Sequence, residues 1–64
     1  MILDKLNNGE PVSYDRLLEY LYDNKVDAII LKCEEYEQDI YVELYIPSLD
    51  ITITSNGVTA IKST

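Results

Sequence analysis

One stretch of the chain, residues 39–46, alternates apolar and polar side chains without a break. Its aliphatic members are Ile40, Val42, Leu44 and Ile46. Because successive side chains of a β-strand point to opposite faces, this period of two predicts a half-buried strand. We therefore expect 39–46 to be a central strand, with the rest of the chain folded around its aliphatic face.

Two helices are predicted ahead of the sheet. Residues 1–8 place apolar side chains at helical spacing and end at Asn and Gly, which tolerate the left-handed conformation of a helix cap. Ser13 is a favourable N-cap for a second, main helix that should end near residues 23–25. Four residues of that helix follow the i, i+3, i+4, i+7 pattern of a single apolar face: Tyr14, Leu17, Leu18 and Leu21.

Three further strands are predicted at residues 26–33, 49–55 and 58–62. Asn56-Gly57 is a strong hairpin signal, and a two-residue turn there would set Ser55 opposite Val58. Short connections favour antiparallel neighbours. The sequence thus predicts one α+β domain over residues 1–64, with a short N-terminal helix and a main helix packed on one face of a four-stranded antiparallel β-meander. The expected core is Leu17, Leu18, Leu21, Ile29, Leu31, Ile40, Val42, Leu44, Ile46, Ile51 and Ile53.

The chain is strongly acidic, with 12 Asp and Glu against 5 Lys and Arg and a net charge of −7 over 64 residues. Affinity for phosphate backbones and anionic lipids comes from basic side chains, so this balance argues against direct binding to nucleic acid or membrane. It favours a partner protein with a basic surface. The alternative is that the charge only maintains solubility.

The negative charge is concentrated in residues 33–43, which carry five acids and no base. A second acidic feature is a stripe on the main helix, where Asp15, Glu19 and Asp23 recur every four residues at intervals of about 6 Å. That interval is close to the spacing of phosphates along a nucleic-acid strand, which suggests a DNA mimic; the alternative is an ordinary solvated surface. The candidate partner-binding residues are Asp15, Glu19, Asp23, Glu34, Glu35, Tyr36, Glu37 and Asp39.

The outer face of the predicted sheet is the second candidate surface. It would expose tyrosine and β-branched side chains, and tyrosine is favoured at protein interfaces. The alternative is that such residues are present because they form stable strands. The candidate self-association residues are Ile30, Tyr41, Tyr45 and Ile61.

Catalytic and metal-binding motifs are not recognisable. The chain has no His and a single Cys, Cys33, so neither a His-assisted nucleophile nor a zinc site can be assembled from it. We expect no enzyme activity, no metal and no cofactor. The lone thiol favours the reducing cytoplasm, and the apolar runs are far shorter than the roughly 20 residues that span a bilayer.

The interpretation that fits these features is a small acidic protein-binding domain, which inhibits or regulates a basic nucleic-acid-handling protein by presenting carboxylates. By analogy, such proteins are common products of phages and mobile elements. The alternative is a structural or assembly protein that forms a homodimer or docks through its Tyr-rich outer sheet face.

Overall fold

A computed structural model describes residues 1–63 of the chain. Two short helices accompany five strands that form one antiparallel sheet of order β1-β5-β4-β3-β2. The elements in chain order are α1 (Ile2–Asn7), β1 (Val12–Ser13), α2 (Tyr14–Asp23), β2 (Ile29–Glu35), β3 (Ile40–Ile46), β4 (Ile51–Ser55) and β5 (Thr59–Lys62).

The predicted fold, a four-stranded meander with a main helix packed on it, was wrong. The additional strand is β1, which pairs with β5 by placing Val12 opposite Ala60 and Ser13 opposite Thr59. Two residues are too few to show a strand period, and the sequence analysis assigned Ser13 to the N-cap of the main helix. Because β1 pairs with the last strand, the segment just before α2 forms that edge of the sheet.

Helix α2 begins where a cap was expected. The Ser13 side chain accepts a hydrogen bond from the Arg16 backbone N–H at 3.4 Å, and Asp15 lies in the first turn, where the helix dipole favours negative charge. Leu17 and Leu21 are buried. Leu18 was expected in the core, but 40% of its surface is exposed. The buried stripe of α2 is therefore narrower than its apolar pattern suggests.

The core lies between the helices and one face of the sheet. Both helices approach β1 and β5 most closely, and the core face of the sheet stays buried as far as β3. The buried apolar residues are Leu6, Val12, Leu17, Leu21, Val42, Leu44, Ile46, Ile51, Ile53 and Ala60.

Strand β2 departs most from the prediction. A bulge at Leu31 interrupts its pairing with β3, so Ile30 lies opposite Leu44 on the core face and Ile29 lies opposite Tyr45 on the outer face. Ile29 is 50% exposed and Leu31 is 54% exposed, so their assignment to the core was wrong. The period-two pattern fails here because a bulge reverses which face each following residue occupies.

The turn between β4 and β5 is also longer than predicted. Ser55 pairs with Ala60, not with Val58, so two more residues enter the connection. Gly57 has φ +90°, a conformation that glycine adopts without strain, and the Asn56 side-chain oxygen accepts hydrogen bonds at 2.9 Å from the backbone N–H groups of Val58 and Thr59. The turn is thus held by its own side chains.

Candidate partner-binding surface

Three acidic or polar segments meet at one end of the sheet. The β2–β3 hairpin and the β4–β5 turn share this end because Val42 pairs with Ser55. The N-terminus of α2 joins them, since the Tyr14 backbone N–H donates to the Val58 carbonyl oxygen at 2.9 Å. We call this region, comprising residues 34–39, 56–58 and the first turn of α2, the acidic end.

The hairpin tip presents free carboxylates. A hydrogen bond of 2.7 Å from the Tyr36 backbone N–H to the Asp39 carbonyl oxygen closes the loop, while Glu35, Glu37 and Asp39 are all exposed. Among residues 1–63 the ion pairs are Lys32 with Glu34 and the Met1 amino group with Asp4. The carboxylates at the hairpin tip therefore have no cation at ion-pair distance within the described chain.

Glu34 differs from its neighbours because its charge is partly compensated. Lys32 Nζ lies 3.1 Å from Glu34 Oε1, and hydrogen bonding to Glu34 is the main reason that the pKa of Lys32 is raised. The pKa of Tyr36 is raised as well, first by hydrogen bonding to Glu34 and then by the negative charge of that carboxylate. Tyr36 is 57% exposed, so its ring is available to a partner.

The acidic stripe on α2 only partly coincides with the hairpin. Asp15, Glu19 and Asp23 are exposed and unpaired in residues 1–63. Asp15 lies in the first turn and belongs to the acidic end, whereas Asp23, eight residues further along, lies about 12 Å away along the helix axis. The structure therefore groups Asp15 with the hairpin carboxylates and separates Asp23 from them.

A shallow groove runs beside the hairpin tip. It has a volume of about 460 Å³ and is lined by residues 35–40 of the hairpin together with Asn56 and Val58 of the neighbouring turn. Val58 is 71% exposed, which gives the acidic end an apolar contact that the sequence analysis missed. The sequence analysis assigned Val58 to the start of the strand 58–62, and no local pattern indicates that the preceding turn packs beside the other hairpin.

On the outer face of the sheet, two tyrosine hydroxyls are hydrogen-bonded to nearby carboxylates. Tyr41 donates to Glu43, and Tyr45 donates to Asp50 Oδ1 at 2.7 Å. These hydrogen bonds are the main reason that the pKa of each tyrosine is raised. No outer-face residue of β3 is buried, so this face carries no helix within residues 1–63.

The self-association residues do not share one face. Tyr41, Tyr45 and Ile61 lie on the outer face, because Ile61 pairs with Thr54 while the core face of β5 carries Ala60. Ile30 lies opposite Leu44 on the core face and is 66% exposed. The structure thus divides the predicted set between the open face of the sheet and its β2 edge.

Residues 1–63 contain no group of three or more His, Cys, Asp or Glu side chains arranged to hold a metal ion. Within the same residues, neither helix has the length and apolar character needed to cross a membrane. Comparison of the chain with protein-family profiles, with curated proteins and with solved structures finds no match. The functional argument therefore depends on the surfaces described above.

Proposed function

We propose that this chain is a protein-binding domain that uses its acidic end to engage a basic surface of another protein. The observation that carries the proposal is the hairpin tip, where Glu35, Glu37 and Asp39 are exposed and lack a cation at ion-pair distance in residues 1–63. Such clustered charge accelerates encounter with an oppositely charged partner and selects against acidic ones.

The hairpin supplies more than charge. Tyr36 gives an exposed aromatic ring beside the carboxylates, and Val58 gives an apolar contact across the groove. Aromatic anchors contribute a large share of the energy at protein interfaces, while charges at the rim mainly set the association rate. In the proposed complex Tyr36 anchors the loop, and the surrounding carboxylates orient it against Lys and Arg of the partner.

A nucleic-acid-handling protein is the partner that this chemistry fits. A surface built to bind phosphates carries several Lys and Arg side chains, and carboxylates placed against them would block the nucleic acid. The proposed role is therefore inhibition or regulation by occupancy, without catalysis and without direct contact to nucleic acid or membrane. We place this activity in the cytoplasm, in keeping with the single thiol of Cys33.

The test compares two double variants with the same change in net charge. Glu37→Lys with Asp39→Lys reverses charge at the hairpin tip, and Asp4→Lys with Glu10→Lys reverses the same number of exposed carboxylates elsewhere. A partner captured from the native host is purified, and its association rate with each variant is measured over a range of salt concentrations. The tip variant should associate at least about tenfold more slowly at low salt, and the control should remain within about threefold of the original chain.

Equal rates for the two variants would show that net charge alone governs encounter, and the acidic end would have no specific role. An association rate that does not depend on salt would also contradict the proposal. Circular dichroism of both variants controls for folding.

A second candidate function is docking or assembly through the outer face of the sheet. It is favoured by Tyr41 and Tyr45, neither of which is fully buried, and by Ile61, which is 42% exposed. Tyr45→Ser and Ile61→Lys should each abolish assembly if this face mediates it. Retention of the native complex by both variants would exclude this function.

A further inference from the structure

A groove lies between the two helices, beside strand β1. Each helix contacts β1, whereas α1 and α2 make little contact with each other, so the space between them stays open. The groove has a volume of about 550 Å³, which falls within the range of about 300–1,000 Å³ that small-molecule sites occupy. Its principal lining residues are Ile2 and Lys5 of α1, Pro11 and Val12 of the connecting segment, and Arg16 and Tyr20 of α2.

Helical spacing explains why these side chains share one groove. Ile2 and Lys5 are three residues apart on α1, and Arg16 and Tyr20 are four residues apart on α2. Residues three or four positions apart lie on the same face of a helix. Each helix therefore contributes one cation and one side chain with a large apolar surface, an aliphatic group from α1 and an aromatic ring from α2.

The charge of the groove is opposite to that of the protein as a whole. Within residues 1–63 the groove is lined by Lys5 and Arg16 and by no Asp or Glu, although the chain has 12 acids against 5 bases. Asp15 and Glu19 each precede a groove residue of α2 by one position, which places them about 100° away around the helix. Neither Lys5 nor Arg16 forms an ion pair in the described part of the chain, so their charge is available to a ligand.

The apolar side of the groove is continuous with the core. Val12 is a buried core residue, and Ile2 is partly buried and packs against the core. Lys5 and Arg16 are exposed, so the cations border a surface that the core holds in place. A guanidinium group binds a carboxylate or a phosphate through two parallel hydrogen bonds, and an ammonium group adds a third charged donor. The groove thus combines an apolar surface with a site for one anionic group.

We propose that this groove binds a small amphipathic anion, with its carboxylate or phosphate group between Lys5 and Arg16 and its apolar body against Ile2 and Val12. The net charge of −7 limits the size of the ligand. A nucleic acid or an acidic protein would extend past the groove to the surrounding carboxylates, which repel it over about 8–10 Å at physiological salt. A small anion keeps its charge inside the groove. The hairpin tip is not part of this site, so the inference is independent of the proposed partner.

Chemical-shift titration of the isotope-labelled protein by nuclear magnetic resonance tests the site, with phenylacetate and phenyl phosphate as probes. Saturable shifts should be centred on the backbone amides that line the groove, including those of Lys5, Val12 and Arg16. Phenylacetamide has nearly the same shape as phenylacetate without the charge, and inorganic phosphate has the charge without the apolar body. Each should bind at least about fivefold more weakly than the corresponding probe, because each lacks one of the two interactions.

Two double variants with the same net charge separate the groove from general electrostatics. Lys5→Gln with Arg16→Gln removes the cations of the groove, and Lys25→Gln with Lys32→Gln removes two cations that do not line it. The groove variant should raise the dissociation constant of both probes at least about fivefold, and the control should change it by less than about twofold. All four side chains are exposed, so both variants should fold, which circular dichroism verifies.

Absence of saturable shifts with both probes would overturn the proposal. Equal affinity for phenylacetate and phenylacetamide would also overturn it, because the cations would then have no role. Shifts centred outside the groove, or an equal loss of affinity in the two double variants, would attribute binding to the overall charge and contradict a site at Lys5 and Arg16. Binding of one probe and not the other, with loss in the groove variant alone, would support the site and identify its anionic group.

Discussion

Replacing Gly57 with alanine should destabilise the protein through two effects that the structure allows to be separated. The first effect is conformational, because φ at Gly57 is +90° and an L-residue there is strained by about 1–2 kcal/mol. The second is steric. A Cβ at this position would lie 2.5 Å from Cγ2 of Ile40, which is too close for any real contact.

The steric effect is not relieved by a small movement of the side chain. Cγ2 branches directly from Cβ of Ile40, and β-branched side chains have little freedom about χ1. Overpacking of this kind costs about 1–3 kcal/mol. Gly57→Ala should therefore lower the free energy of unfolding by about 2–5 kcal/mol, a large share of the roughly 3–10 kcal/mol expected for a domain of this size.

Gly9 is a matched control within the same chain. Its φ is +85°, and a Cβ added there would meet no atom within 4 Å. Gly9→Ala should therefore show the conformational effect alone, about 1–2 kcal/mol. The difference between the two glycine variants isolates the contact with Ile40, and urea denaturation with the m-value monitored measures it.

A double-mutant cycle completes the test. Ile40→Ala removes the clashing methyl group, so the cost of Gly57→Ala should fall by about 1–3 kcal/mol when Ile40→Ala is already present. Equal losses for Gly9→Ala and Gly57→Ala would refute the reasoning, as would a cost of Gly57→Ala that Ile40→Ala does not change. Either result would mean that the β4–β5 turn does not pack on β3 as described.

Three further outcomes are expected. Ser13→Ala removes the cap of α2 and should cost about 1 kcal/mol in urea denaturation, whereas Ser13→Gly should cost only a few tenths. Leu17→Ala should cost about 2–5 kcal/mol, and Leu18→Ala, at a site 40% exposed, should cost much less by the same measurement. The pKa of Tyr45 lies above its usual value of 10.0 because its neutral hydroxyl donates to Asp50, so the associated stability is present below pH 10 and is lost as pH rises through the raised pKa. Asp50→Asn should lower that pKa, as followed by ultraviolet absorbance of tyrosinate.

Sequence patterning located β3, α2 and the cap at Ser13, because each depends on interactions within one short segment. The alternation over 39–46 and the buried pair Leu17 and Leu21 are local signals of this kind. Strand β1 was missed because its two residues become a strand only by pairing with β5, some 47 positions later along the chain. The β4–β5 turn was misjudged because Asn56 accepts hydrogen bonds from two backbone N–H groups and stabilises a longer connection than Asn-Gly usually forms.

The clustering of carboxylates in the β2–β3 connection was predictable, because the run of acids is contiguous in sequence. Its association with the first turn of α2 was not, since that contact depends on the position of β5 between β1 and β4. Val58 joins the acidic end for the same reason. Residues that share a surface only through sheet order leave no periodic signal in the sequence.

The wrong assignment of β2 residues to the core has a different physical cause from the errors at β1 and at the β4–β5 turn. The helices approach β1 and β5 most closely, whereas β2 is the opposite edge of the sheet and leaves Ile29, Ile30 and Leu31 exposed. An apolar pattern indicates that a residue avoids water, but it does not specify what covers it. Ile29 and Leu31 were assigned to the core on that pattern, and the chain leaves them exposed. Apolar patterning therefore overstates burial at the edge of a sheet, where β-branched residues also occur because they form stable strands.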